Sequence, residues 1–152
     1  MEKKLIQTMA TLNAVAAKAM NKYRVHVCTD VTGFGLLGHL KEMTAGSGVE
    51  AEIVAGDVPT LDLLEEMVAS GAVPGGTENN LAYLDGWVNW SQQISNTTKL
   101  ILCDAQTSGG LLLSIHADDA VTLLKKLKSA GTTDAVVIGR MVQKGKGLIS
   151  VV

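Results

Sequence analysis

Apolar residues recur every three or four positions in several stretches of the chain, a spacing typical of helices with one buried face. Glycines end several of these stretches, as is usual at helix C-termini. The predicted helices cover residues 4–22, 36–45, 61–70, 81–94 and 118–130. In the first of them, one stripe consists of Leu5, Met9, Leu12, Ala16 and Met20.

Short runs rich in aliphatic and β-branched residues predict strands between the helices. Two stretches rich in glycine and polar residues, 73–80 and 104–110, are predicted loops, and 144–147 is a predicted hairpin tip. Because helices and strands alternate through most of the chain, we predict an α/β or α+β domain of two layers. The predicted strands are residues 24–28, 49–54, 99–103, 111–115, 135–142 and 148–152.

The composition fits one globular domain. The chain has 152 residues, of which 47% are hydrophobic and 18% are charged. That is enough apolar material for one core and too little charge for a disordered chain. Aromatic residues make up only 3%, so the core must be aliphatic. The net charge of −2 and the lack of a basic patch argue against a nucleic-acid partner.

Nothing in the sequence indicates a membrane or an oxidising compartment. No apolar run reaches the roughly 18 residues of a membrane span, and polar residues interrupt the N-terminal segment too often for a secretory signal. Cys28 and Cys103 lie in apolar runs and lack the spacing of zinc ligands. They are interpreted as buried free thiols of a cytoplasmic protein.

A carboxylate flanked by hydroxyls, Asp30, follows the first predicted strand, and a glycine turn then leads into a helix. The helix N-terminus has unpaired N–H groups and a partial positive charge, which suit a phosphate. Asp30 would repel that phosphate unless a cation lay between them, so the pattern indicates a metal and a phosphate together. Capping of the helix by Asp30 is the equal alternative. A lone carboxylate makes only part of a Mg²⁺ site, which predicts an incomplete site on this chain.

Residues 33–38 also match the GxGxxG pattern of dinucleotide-binding folds, with Glu50 or Glu52 as the ribose-binding acid. Two features disfavour that interpretation. Residues 29–32 separate the strand from the glycines, whereas the dinucleotide turn begins directly after its strand. An aspartate beside a pyrophosphate is also unfavourable without a metal.

A second glycine-ended loop, residues 104–110, repeats the order of strand, aspartate, hydroxyls and glycines. Asp104, Thr107 and Ser108 are therefore candidates for the same phosphate site, and an Asx turn is the alternative role for Asp104. His39 lies near the start of the helix that follows Asp30. It is interpreted as a surface or core residue, because no partner that would make it a base is evident.

Three motifs, in order along the chain, closely resemble those of the selenophosphate synthetase (selenide, water dikinase) family. They are Cys-Thr-Asp-Val-Thr-Gly-Phe-Gly-Leu-Leu-Gly-His at 28–39, Val-Pro-Gly-Gly-Thr with Asn80 at 73–80, and Cys-Asp-Ala-Gln-Thr-Ser-Gly-Gly-Leu-Leu at 103–112. The resemblance spans nearly the whole chain and is to the C-terminal domain of that family, within the wider aminoimidazole ribonucleotide synthetase superfamily. It implies a mixed sheet with helices packed on it.

The resemblance implies a reaction in which ATP, selenide and water give selenophosphate, AMP and phosphate, with Mg²⁺ as cofactor. In that family the nucleotide lies mainly on an N-terminal domain, whose aspartates hold the metals. Asp30 would add a metal ligand from the C-terminal side. The residues that would line the phosphate site are Thr29, Thr32, Gly33 and Gly35, with Asp104, Thr107 and Ser108 as a neighbouring wall.

The family's catalytic cysteine or selenocysteine, and the lysine close to it, lie in an N-terminal segment that residues 1–152 do not match. Cys28 and Cys103 do not match that position, so no catalytic residue is assigned to this chain. We therefore expect a single C-terminal domain over 1–152, with an inter-domain segment over 1–22, that is inactive by itself. The N-terminal domain is an expected partner. Apolar surface that this domain would cover is expected to produce a homo-oligomer.

Three alternatives stay open. A sister enzyme of the same superfamily would transfer the phosphoryl group to another acceptor. A binding or dimerisation module would have the fold without the reaction. A dinucleotide-binding protein would be stabilised by NAD against heat.

Overall fold

A computed structural model of the protein describes residues 2–152. Met1, the first residue of the predicted inter-domain segment, lies outside the described residues. The helices in this range are α1 (Glu2–Ala10), α2 (Ala14–Met20), α3 (Gly35–Ser47), α4 (Leu64–Ala69), α5 (Gly75–Tyr83), α6 (Asn96–Leu102) and α7 (Ala117–Ser129). The strands are β1 (Val25–Asp30), β2 (Val49–Ile53), β3 (Val88–Trp90), β4 (Leu111–Ile115), β5 (Gly139–Lys144) and β6 (Ile149–Val151).

The strands form two sheets of different kinds. The larger has the order β3-β6-β2-β5, in which β2 is antiparallel to β5 and β6 is parallel to both β2 and β3. The smaller is an antiparallel pair of β1 and β4, with Asp30 opposite Leu111. Mixed strand pairing with helices packed on the sheets confirms the predicted α/β (α+β) class.

Aliphatic side chains fill two cores. The larger joins α3 and α6 to the four-stranded sheet, and Leu37, Ile149 and Val151 are fully buried in it. Its buried members are aliphatic residues and Cys103, and Trp87 and Trp90 are only partly buried against them, as the composition predicted. The smaller core joins α2 and α7 to β4, and its buried members are Ala16, Leu123 and Leu127.

The predicted single helix over residues 4–22 is wrong, because α1 and α2 are separate helices joined by residues 11–13. Asn13, just before α2, donates its side-chain amide to the carbonyl oxygen of Gly109 at 3.0 Å, which ties the start of α2 to a distant loop. Of the predicted apolar stripe only Ala16 is buried. Leu12 is 79% exposed, so the stripe is largely uncovered by residues 2–152.

The middle of the chain differs most from the prediction. Residues 73–80, predicted as a loop, contain most of α5, and residues 81–94, predicted as a helix, contain β3. The glycines at the start of α5 are poor helix formers, and two buried polar side chains, Thr77 and Asn80, hold this helix instead. Gly86 has a φ of +75°, which glycine adopts without steric cost, and redirects the chain from α5 to β3.

Two further predictions are corrected. The strand predicted over 99–103 is the end of α6, whose N-cap Ser95 accepts the N–H of Thr98 at 3.0 Å through its hydroxyl oxygen. A short apolar run fits a buried helix as well as a strand, so the pattern could not separate them. Residues 144–147 are not a hairpin tip, because β5 and β6 lie on opposite sides of β2 and do not pair.

Lys41 ties α3 to α5 and to the segment before β3. Its ammonium nitrogen lies 4.9 Å from the ring centroid of Tyr83 and 4.7 Å from that of Trp87. It also donates to the Tyr83 hydroxyl at 2.7 Å and to the Glu42 carboxylate at 3.0 Å. These hydrogen bonds raise the pKa of Lys41 and lower the pKa of Glu42, so both groups stay ionised at neutral pH.

Both cysteines are free thiols. Cys103 is fully buried, which confirms that it is a buried free thiol, and burial raises the pKa of this thiol to about 12. Cys28 is only half-buried, and burial together with the charge of Asp30 raises its pKa. Across residues 2–152, no helix has the length and apolar character needed to cross a membrane.

Candidate functional site

The three motif segments, which are far apart in the sequence, meet at the N-terminus of α3. β1 ends next to the start of β4, because the two strands are antiparallel neighbours. The loop 104–110 lies against the residues that follow β1. The N–H of Val31 donates to the carbonyl of Gly110 at 2.9 Å, and the N–H of Gln106 donates to the carbonyl of Thr32 at 3.2 Å. The turn after β1 and the loop 104–110 therefore form one surface.

Thr77 and Asn80, two residues of α5, form hydrogen bonds to these segments through their side chains. The buried side-chain amide of Asn80 donates to the carbonyl oxygens of Gly33 at 2.8 Å and Cys103 at 3.0 Å. The hydroxyl of Thr77 donates to the Asp104 carboxylate at 3.0 Å and accepts the next backbone N–H at 3.1 Å. The motif at 73–80 thus connects the motifs at 28–39 and 103–112.

Gly35 begins α3 in direct contact with the end of α6. Its φ is +69°, and a Cβ here would lie 2.7 Å from the backbone carbon and oxygen of Cys103 and 2.8 Å from the carbonyl oxygen of Asp104. Backbone atoms cannot move aside as a flexible side chain can, so only glycine fits. A Cβ on Gly33 would meet no atom of the described residues within 4 Å.

Asp30 lies exposed at the end of β1 and does not cap α3. The N-cap position of α3 is Phe34, and no side-chain hydrogen bond caps this helix within residues 2–152. The capping alternative is therefore wrong. The Asp30 carboxylate makes no hydrogen bond or ion pair within residues 2–152, which leaves this carboxylate available as a ligand.

The start of α3 also offers backbone donors. In the described part of the chain, the N–H groups of Gly33 and Phe34 have no protein acceptor, and both residues are exposed. Such groups at the positive end of a helix dipole bind phosphate oxygens. The N–H of Gly35 is different, because it donates to the carbonyl of Thr32 at 2.9 Å.

The predicted phosphate-site residues fall into two groups. Direct contacts among the motif segments bring together Thr32, Gly33, Gly35 and Asp104. The hydroxyls of Thr29, Thr107 and Ser108 lie outside these contacts, and that of Thr29 donates to the carbonyl oxygen of Asp30 at 3.2 Å. Thr107 is exposed on its loop, whereas Ser108 is half-buried.

Asp30 fits a Mg²⁺ site as one ligand. Mg²⁺ in phosphate-binding sites takes one or two carboxylates together with phosphate oxygens and water. Among residues 2–152, no group of three or more His, Cys, Asp or Glu side chains is placed to hold a metal ion.

The dinucleotide-binding alternative does not fit this fold. It requires β1, α3 and β2 to form a parallel βαβ unit, but β1 and β2 belong to different sheets. Glu50 accepts the side-chain amide of Gln143 at 2.8 Å, and Glu52 pairs with Arg140 at 2.9 Å. Both candidate ribose-binding acids are thus engaged along the β2–β5 pair.

Sequence reasoning missed the roles of Thr77, Asn80 and His39. Thr77 and Asn80 are three residues apart and would share one face of a helix, but the glycines before them indicated a loop. His39 is half-buried, and its Nε2 lies 3.1 Å from both the backbone nitrogen and the hydroxyl of Thr32. A histidine contact to a backbone N–H leaves no signature in the sequence.

A family model described as AIR synthase related protein, C-terminal domain, matches residues 1–151. The chain belongs to this family. Curated relatives include the selenide, water dikinases of Myxococcus xanthus (41% identical over 99% of this chain and 43% of the relative) and Salmonella typhimurium (42% over 93% and 40%). That of Pelobacter propionicus is 40% identical over 93% of this chain and 40% of its own length. The chain spans about two fifths of the length of these relatives.

These findings confirm the resemblance seen in the sequence, at the level of the C-terminal domain. The motifs that carry the resemblance are also the segments that meet at the start of α3. In this AIR synthase-related C-terminal domain, the similarity and the geometry therefore point to the same surface.

We expect Gly35→Ala to lower the free energy of unfolding by about 3 kcal/mol or more, because a left-handed φ and an overlap with rigid backbone are both costly once a Cβ is present. Urea unfolding of the variant and of the wild-type chain measures this difference in free energy. Gly33→Ala is the matched control, since its Cβ enters open space, and its effect should stay within about 1 kcal/mol. Equal effects of the two variants would contradict the close approach at Gly35.

We expect Asn80→Ala to lower the free energy of unfolding by about 2–4 kcal/mol, because two carbonyl oxygens lose their donor. The exposed neighbour Asn79 provides the control variant Asn79→Ala, which should unfold at nearly the wild-type urea concentration. A wild-type midpoint for Asn80→Ala would show that this side chain does not hold the two segments together.

Proposed function

We propose that the chain is the C-terminal domain of a selenide, water dikinase, which makes selenophosphate from ATP, selenide and water and releases AMP and phosphate. The observation that carries the proposal is the meeting, at the start of α3, of the three segments that resemble this family. Identity of about 40% to named dikinases over 93–99% of the chain supports it.

In that enzyme the chain supplies part of a Mg²⁺–phosphate site. Phosphoryl transfer depends on positioning and on neutralising phosphate charge, and bound Mg²⁺ supplies that neutralisation. The Asp30 carboxylate is one metal ligand, and the free N–H groups of Gly33 and Phe34 hold a phosphate oxygen. Side chains that line the surrounding surface are Thr29, Thr32, Asp104, Thr107 and Ser108.

No catalytic nucleophile is assigned to this chain. A thiol must ionise to attack, and burial holds the pKa of Cys103 at about 12. The pKa of Cys28 is raised by burial and by the negative charge of Asp30. We propose that ATP turnover requires the N-terminal domain, where ATP and selenide are expected to bind. A cytoplasmic location is part of the proposal and is supported by the two free thiols.

Calorimetric titration of Mg²⁺ and ADP, separately and together, tests whether the site is complete by itself. We expect no heat from the 152-residue chain or from Asp30→Ala, since one carboxylate makes only part of a Mg²⁺ site. Metal-dependent ADP binding that disappears in Asp30→Ala would reveal an autonomous site. That result would overturn the dependence on a second domain.

A hybrid enzyme, in which this chain replaces the matching segment of the Salmonella typhimurium relative, tests the activity. We expect AMP formation from ATP that requires selenide. Asp30→Ala should lower the rate about 100-fold or more, a usual cost of losing a group that stabilises charge in the transition state. Asp85→Ala, at an exposed position, should change it little.

Two outcomes of the hybrid experiment would count against the proposal. Phosphoryl transfer that ignores selenide would favour a sister enzyme of the superfamily. A folded hybrid without any ATP-dependent activity would favour a binding or dimerisation module.

The N-terminal domain and a second copy of the chain are the partners that we propose. The exposed apolar residues of α1, α2 and their connection support this, because such surface associates in water. They are Leu5, Ile6, Met9, Leu12 and Val15.

We expect the chain by itself to elute as a dimer or larger species in size-exclusion chromatography at high concentration. Leu12→Ser should shift it toward the monomer, because Leu12 is 79% exposed on this surface. Val121→Ser, at an exposed position of α7, is the control and should have no effect. Elution of the wild-type chain only as a monomer would contradict the self-association.

A further inference from the structure

His39 makes a contact to which the proposed site assigns no role. It lies in α3, and its ring nitrogen Nε2 is 3.1 Å from the backbone nitrogen of Thr32 and 3.1 Å from the Thr32 hydroxyl oxygen. The ring meets that of Phe34 edge-on, with centroids 5.6 Å apart. The imidazole is thus in contact with both ends of the turn that leads from β1 into α3.

The contact with the Thr32 N–H determines which ring nitrogen of His39 has the proton. A backbone N–H can only donate, so the Nε2 atom that faces Thr32 must be the acceptor. Neutral imidazole then has its proton on Nδ1. The hydrogen bond is therefore compatible with only one of the two neutral tautomers.

Thr32 is held on both sides by this arrangement. Its N–H donates to His39, and its carbonyl oxygen accepts the N–H of Gly35 at 2.9 Å. The two N–H groups in between, those of Gly33 and Phe34, are the ones without a protein acceptor in the described residues. The planar peptide between Thr32 and Gly33 relates the direction of the Gly33 N–H to the Thr32 carbonyl, and the hydrogen bond from Gly35 to Thr32 closes the turn that contains both N–H groups.

We propose that His39 is a positioning residue, which as a neutral acceptor holds the turn that presents the N–H groups of Gly33 and Phe34 to a phosphate. The identity of that ligand rests on the proposed function, whereas the contact to Thr32 does not. His39 touches no reacting atom and acts through Thr32.

Nitrogen NMR of the 152-residue chain tests the contact without any ligand. We expect the Nδ1–H tautomer at His39, and exchange of the Thr32 amide with solvent at least about tenfold slower than that of the Gly33 and Phe34 amides. His26, exposed on β1, serves as the internal reference ring. The Nε2–H tautomer at His39, or an unprotected Thr32 amide, would overturn the proposal.

Two variants separate the acceptor from the bulk of the ring. His39→Gln keeps an acceptor oxygen close to the position of Nε2, whereas His39→Leu keeps apolar volume and removes the acceptor. Protection of the Thr32 amide should survive in His39→Gln and fall about tenfold in His39→Leu. Equal exchange in the two folded variants would contradict the assignment. If His39→Leu does not fold, the wild-type tautomer and the protection in His39→Gln decide.

The hybrid enzyme tests the consequence for the reaction. His39→Leu should lower kcat about 10- to 100-fold through misplacement of the phosphate, and His39→Gln should retain most of the wild-type value. An unchanged kcat in a folded His39→Leu hybrid would contradict the positioning role. A hybrid that is inactive with His39 intact would count against the proposed function alone, because the NMR measurements need no nucleotide.

Discussion

The close approach between the start of α3 and the end of α6 is the contact on which the rest of the site depends. It exists because Gly35 has no Cβ to collide with the backbone of Cys103 and Asp104. Once the two backbones touch, Asn80 can reach a carbonyl oxygen on each of them. Its amide replaces the water that both carbonyl groups would otherwise bind. The absence of a Cβ at Gly35 thus allows three segments that are remote in sequence to form one surface.

The groups of the candidate site belong to different parts of the fold. Asp30 ends a strand of the two-stranded sheet, whereas Gly33 and Phe34 precede a helix that packs in the larger core. The carboxylate and the positive end of the helix bind partners of opposite charge, so a phosphate and a cation suit the surface better as a pair than separately. The short turn that His39 contacts sets the separation of these groups.

Much of the fold could be predicted from the sequence because several elements have clear local signals. The strands predicted at 24–28, 49–54 and 111–115 are present, and so is the helix that ends at Gly48, where φ is +62°. The prediction failed where tertiary contacts decide the structure. The helix α5 begins with glycines and is held by buried Thr77 and Asn80, an arrangement that local propensity opposes.

Some residues of the candidate site could likewise be predicted from the sequence, and others could not. Asp30 and the glycine turn could be found because polar residues and glycines interrupt an apolar pattern directly after a strand. The roles of Asn80 and His39 could not be found, because their partners are backbone groups, which every position of a chain offers. One of these partners, the carbonyl of Gly33, lies 47 residues from Asn80 in sequence.

The position of β6 within the larger sheet has a consequence for biosynthesis. Ile149 and Val151 have no exposed surface, and β6 separates β3 from β2, so β6 is the strand with which β3 pairs within residues 2–152. Chains emerge from the ribosome N-terminus first, which means that all the motif segments are translated before this strand exists. The four-stranded sheet against which α3 packs is complete only after β6 has been synthesised. A nascent chain that stalls before residue 149 would have every residue of the candidate site and no finished sheet to hold them in place.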